Sequence, residues 1–113
     1  MEKTITIGNR EITMKATANT PKRYRNEFNK DLLIELQNLF NHLDKKTGEF
    51  VGQVDLSLVE NLAYIMAKQA DPEIGTQEDF LDQFEVADIY NAMPQILGVW
   101  SNSTETLSTA KKK

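Results

Sequence analysis

"KTITIGNREITMKA", residues 3–16, decides how the rest of the chain has to be built. Ile5 and Ile7 alternate with threonines, Gly8-Asn9 follows, and Ile12, Met14 and Ala16 alternate with polar residues again. Two runs of period two joined by Gly-Asn predict a β-hairpin, because that pair suits a two-residue turn. A lone hairpin is marginal in water, so its Ile/Met face has to rest on apolar surface supplied by the residues that follow.

Those residues read as helices. In "TPKRYRNEFNKDLL" (20–33), Thr20 is expected to cap a short helix over 21–28, with Pro21 at its first position. Lys22, Arg23 and Arg25 then stand where the helix dipole is already positive, an arrangement unfavourable by about a few tenths of a kcal/mol each. Either the cluster meets something negative or it is a tolerated local cost. Asn29 is expected to close this helix in a left-handed conformation, and Asp31 to cap the next. In "DLLIELQNLFNHL" (31–43), Leu32, Leu36, Leu39, Phe40 and Leu43 share one helical face. "DKKTGEFVGQVD" (44–55), with two glycines, breaks the periodicity and reads as a loop.

Asp55 is expected to cap a third helix reaching about Ala70. Its stripe of Val59, Leu62, Ala63, Met66 and Ala70 is widened by Leu58 and Ile65, so it should be the most buried. "TQED" (76–79) has the capping-box pattern ahead of Phe80, Leu81 and Phe84. The last helix is expected from Val86 to about Trp100, with Ile89, Tyr90, Met93, Ile96, Leu97 and Trp100 as its apolar face. Pro94 should kink or divide it. "SNSTETLSTAKKK" (101–113) is polar and aperiodic and reads as a disordered tail. The expected fold is α+β and predominantly helical: an N-terminal hairpin followed by a bundle of about four to five helices. One globular domain spans 1–100 and a flexible polar tail spans 101–113.

At 113 residues, 40% hydrophobic and 27% charged, the chain fits one ordinary globular domain. The absence of cysteine excludes disulfides, thiolate metal sites and cysteine nucleophiles. No apolar run approaches the roughly 20 residues of a membrane span, and "MEKTITIGNREIT" lacks the apolar core of a secretory signal, so an intracellular protein is expected. Charge is unevenly distributed. Residues 1–30 carry seven Lys/Arg against three acids, net +4, and residues 31–113 carry six against fourteen, net −8. Such halves attract each other, within one chain or between copies.

Catalytic chemistry finds little to work with. His42 is the only histidine, and its place near a helix C-terminus suits a structural role. Asp82, Glu85 and Asp88 would share a face only on a continuous helix and read as a solvated acidic surface; no metal or cofactor is expected. The Asp44–Asp55 loop has Lys46 and Gly48 where a calcium loop needs ligands. Phosphate-loop, dinucleotide and nucleophile-elbow motifs are missing, so an enzyme is not expected. Lys22, Arg23, Arg25 and Lys30, interleaved with Tyr24 and Phe28, would combine phosphate contacts with base stacking in a small nucleic-acid-binding regulator. The acidic remainder of the chain opposes that alternative, and Tyr24 and Phe28, four apart, suit one buried stripe.

The hairpin, then "RYRNEFNKDLL", "ENLAYIMAKQADPEIG", "FLDQF" and a closing "IYNAMPQILGVW" resemble, in collinear order over about residues 3–100, the tail assembly chaperones of tailed phages and prophages of Gram-positive bacteria. The resemblance implies a small, helical, non-enzymatic protein that coats the long helical tape-measure protein while the tail tube polymerises around it. It implies a place in the host bacterial cytoplasm and absence from the mature virion. The tail-tube protein and further copies of the chain are additional partners to expect; nucleic acid and membrane are not. Many members also have a longer form made by ribosomal frameshifting, and the A-rich codons of Lys111–Lys113 would suit a slippery site. Candidate partner contacts are Lys22, Arg23 and Arg25, facing acidic protein surface in cis or in trans, and Phe80, Phe84, Tyr90 and Trp100, which either line a groove or form core. A phage structural subunit, of the tail or of head completion, is the other alternative.

Overall fold

Strands β1 (Glu2–Ile7) and β2 (Arg10–Lys15) form the antiparallel hairpin, with Ile7 opposite Arg10 and Glu2 opposite Lys15. The computed structural model describes residues 1–44, 46–47, 49, 51 and 56–111, with side chains as far as Ser103. Gly8 has φ +62°, the sign needed at the first residue of a type II′ turn. Met1 and Ala16 exchange two backbone hydrogen bonds at 2.8 and 2.9 Å and lengthen the ladder by one pair. Ile5, Ile7, Met14 and Ala16 are buried on the inner face, and the Thr4 and Thr13 hydroxyls meet at 2.8 Å on the outer one.

Five helices follow: α1 (Thr20–Phe28), α2 (Leu32–Phe40), α3 (Leu56–Ala70), α4 (Gln77–Leu81) and α5 (Val86–Lys111). The architecture is the α+β arrangement of hairpin and helical bundle. β2 lies against α3 and β1 against α5, so these two helices supply the apolar bed that the hairpin requires. α3 is the central element, with Leu58, Val59, Leu62, Ala63, Tyr64, Ile65, Met66 and Ala67 all buried. Asn29 closes α1 at φ 56°, Asp31 caps α2 through the Ile34 N–H at 3.1 Å, and Thr76 caps α4 through the Asp79 N–H at 3.1 Å. Asp55, the expected cap of α3, lies outside the described residues.

Four expectations need correction. Thr20 does not cap α1. Its hydroxyl accepts from the Thr17 N–H at 2.9 Å and donates to Gln69 Oε1 at 2.8 Å, while Gln69 Nε2 donates to Thr17 Oγ1 at 2.6 Å. Thr20 is fully buried, and a hydroxyl buried there is better satisfied by a side-chain network than by a helix end. Of the two outcomes expected of Pro94, a kink or a division of α5, division does not occur: the helix runs through it as one element. Pro94 and Tyr90 both face solvent, so the Tyr90 carbonyl that loses its i+4 donor can be hydrated. The helix also passes Trp100, the expected end, and Ser101–Ser103 are half-buried, with the Ser103 hydroxyl 3.4 Å from the Ala16 carbonyl. Finally, Tyr90 is 60% exposed and lies off the buried face of α5, where Ala92 and Val99 pack instead.

Candidate partner-binding surfaces

Lys22, Arg23 and Arg25 are exposed along α1, which carries no acid in its first turn. Among the described residues, no hydrogen bond or ion pair engages these three side chains. A partner in cis is therefore not present within that set, and the dipole conflict at the start of α1 is left uncompensated. Arg23 borders a cavity of about 240 Å³ between α1 and α3, together with Asn26, Glu27, Ile65 and Lys68.

The aromatic residues interleaved with this cluster face the other way. Tyr24 is fully buried, its ring 5.0 Å from Phe28 in an edge-on contact. Its hydroxyl donates to Glu35 Oε1 and lies 3.5 Å from Asn61 Nδ2, while Gln77 Nε2 donates to Asn61 Oδ1 at 2.7 Å. This polar chain ties α1, α2, α3 and the start of α4 together. A ring held in this way offers no face to a nucleic-acid base.

Of the other sequence candidates, Phe80 is core: it packs 5.8 Å from the Tyr64 ring and 5.3 Å from the Phe84 ring. Phe84 and Trp100 are half-buried against the same core, and only Tyr90 stands in solvent. The four do not converge on one groove. Val86, one turn before Tyr90, is also exposed.

The largest apolar exposure lies on α2, where the sequence reading named no site. Leu32, Leu36 and Leu39 point inward, yet Leu33, Ile34 and Phe40 are 56%, 57% and 40% exposed. At 100° per residue these three span an arc of about 120° on the outer side of the helix. Val51 adds to this surface from beside His42, whose carbonyl accepts the Val51 N–H at 2.6 Å. Arg25 stands at the other end, sharing a 120 Å³ cavity with Pro21, Asp31, Leu32 and Leu33. The signal was present in "LLIELQNLF": six apolar residues in nine exceed what one helical stripe can bury.

A groove of about 590 Å³ runs beside β2. Ile12, Ala67, Ala70, Ile74 and Phe80 contribute its apolar surface, Glu2, Glu11 and Asp71 its carboxylates, and no base lines it. His42, the one histidine, holds Nδ1 3.0 Å from the Asn38 carbonyl at the end of α2. Asp88 is occupied structurally, accepting the Glu85 N–H at 2.9 Å at the start of α5. Among the described residues, no three His, Asp or Glu side chains gather as cation ligands, and no helix is long and apolar enough to cross a membrane.

Comparison of the chain with protein-family models, curated proteins and solved structures finds no match.

Proposed function

We propose that this chain is a tail assembly chaperone of a tailed phage or prophage, binding the tape-measure protein stoichiometrically in the host cytoplasm and leaving before the virion is complete. The observation that carries the reading is the outer face of α2. A helix of nine residues buries one apolar side and presents Leu33, Ile34 and Phe40 on the other. An apolar strip of that kind matches the i, i+3, i+4 pattern of an amphipathic helical client, which a long tape-measure helix would repeat many times. Arg25 at one end of the strip can pair with client carboxylates at its rim.

The test is co-expression with the tape-measure protein encoded in the same gene cluster. The expected result is a soluble client that co-purifies with the chain. Leu33→Ser combined with Ile34→Ser should abolish co-purification while leaving the far-ultraviolet spectrum unchanged. A client equally soluble without the chain, or retention undiminished by the double variant, would overturn the assignment to this face. Detection of the chain in purified virions would favour a structural subunit instead. Expression of the native gene with its downstream DNA, read through an N-terminal tag, reports whether a frameshifted longer product is made.

A further inference from the structure

We propose that β2 is a dimerisation edge: two copies of this chain pair their β2 strands antiparallel about Thr13, joining the two hairpins into one four-stranded sheet. The inference rests on the hairpin and on what α3 and α5 place beside its two edges, and is independent of the function proposed above.

Ile7–Arg10, Ile5–Ile12, Lys3–Met14 and Met1–Ala16 are the pairs whose N–H and C=O groups point at each other across the ladder. The backbone groups of Glu2, Thr4 and Thr6 on one strand, and of Glu11, Thr13 and Lys15 on the other, therefore point outward. The two edges are treated differently. On β1, the Gln95 side chain acts as a piece of neighbouring strand: its Oε1 lies 3.4 Å from the Thr6 N–H donor, and its Nε2 donates to the Thr6 carbonyl at 3.1 Å. On β2, among the described residues, no hydrogen bond reaches the outward groups of Glu11, Thr13 or Lys15. An open edge of this kind is a template for another strand. The 590 Å³ groove beside it, where Ala67 and Ala70 of α3 are small, leaves room for one.

A second copy of β2 fits that edge in one register. Antiparallel pairing centred on Thr13 sets Glu11 opposite Lys15 of the second copy, and Lys15 opposite its Glu11. All these residues carry outward backbone groups, so each pairing is a hydrogen-bonded one. Opposite charges directly across a ladder are favourable, and here the symmetry makes two such pairs at once. Among the described residues, neither Glu11 nor Lys15 has an ion-pair partner within its own chain. On the inner face the same register sets half-buried Ile12 opposite Met14 of the second copy, so Ile12 gains apolar cover. A one-residue slip would turn each inward side chain toward solvent. Because Gln95 occupies the Thr6 end of each β1 edge, the pairing closes on β2 as a dimer.

The experiment is sedimentation equilibrium on the full chain, with far-ultraviolet spectra to verify folding of each variant. The expected wild-type mass is twice 12.9 kDa. Glu11→Lys opposes two lysines at each end of the pairing and should give the monomer at the same concentration. Glu11→Lys combined with Lys15→Glu restores opposite charges and should recover the dimer. Because the chain has no cysteine, Thr13→Cys introduces a single thiol on the two-fold axis. Hydrogen-bonded antiparallel pairs have Cα atoms about 5.5 Å apart, within disulfide range, so this variant should cross-link on oxidation whereas Thr4→Cys should not. A monomeric wild type, a dimer insensitive to Glu11→Lys, or a folded double variant that stays monomeric would each overturn the proposal. So would an edge whose amides become protected only when the tape-measure protein is added, since that would assign β2 to a client.

Discussion

Gly8 is the residue where local and tertiary constraints meet. It combines φ +62° with contact to the start of α5: a Cβ there would lie 2.8 Å from the Asp88 carboxylate. Asp88 in turn is held by the Glu85 N–H, so it cannot withdraw without loosening the helix start. Gly8→Ala should lower stability by about 2–3 kcal/mol, the sum of a left-handed Ala and a displaced carboxylate. Urea denaturation of Gly8→Ala, Asp88→Ala and the double variant checks this, because removing the carboxylate should make the two losses less than additive. Tyr24 offers a second test. Tyr24→Phe retains the buried ring but deprives Glu35 of its donor, and should destabilise by about 1–2 kcal/mol in the same assay.

At the scale of the element, α5 carries a correctable defect. Pro94 sits on its solvent face and withholds one backbone donor, so Pro94→Ala should stabilise the protein. The helix-interior preference against proline, about 3 kcal/mol, is offset by the flexibility that alanine returns to the unfolded chain, leaving about 2 kcal/mol. A thermal melt that moved downward instead would mean that the proline sets the path of α5 over β1. The cap of α4 is simpler: Thr76→Ala should cost about 1 kcal/mol, since it removes the acceptor for the Asp79 N–H. Helix α2 differs from both because its surplus is apolar. Leu33→Ser with Ile34→Ser changes exposed positions, so stability should move by no more than about 1 kcal/mol even if client binding is lost. That separation between folding and binding is what makes the pair informative.

For the whole molecule, the uneven charge takes a form that a sum over residues did not convey. The net +4 of residues 1–30 is not one basic surface. Lys22, Arg23 and Arg25 on α1 stand apart from Glu2 and Glu11, which belong to the acid-lined groove beside β2 together with Asp71. The basic α1 cluster and the β2 groove are therefore two separate surfaces. Association through the Glu11–Lys15 pairs should weaken as ionic strength rises, as screening of ion pairs near the surface requires.

The local layer of this fold was legible in the sequence. The hairpin and its Gly8 turn, the left-handed Asn29, the Asp31 and Thr76 caps and the buried stripe of α3 all depend on periodicity or on hydrogen bonds spanning a few residues. What only the tertiary structure decided are relations between distant residues. Thr20 abandons its helix end for Gln69, forty-nine positions away, and Gln95 covers the Thr6 edge from eighty-nine positions away. The α2 stripe of Leu32, Leu36 and Leu39 was legible, whereas packing against α1 and α3 leaves Phe40, which periodicity places on the same face, 40% exposed. Tyr90 falls outside the core for the same reason. Periodicity specifies that an apolar face exists, whereas the arrangement of all elements around α3 determines which apolar residues and which strand edge are left for a partner.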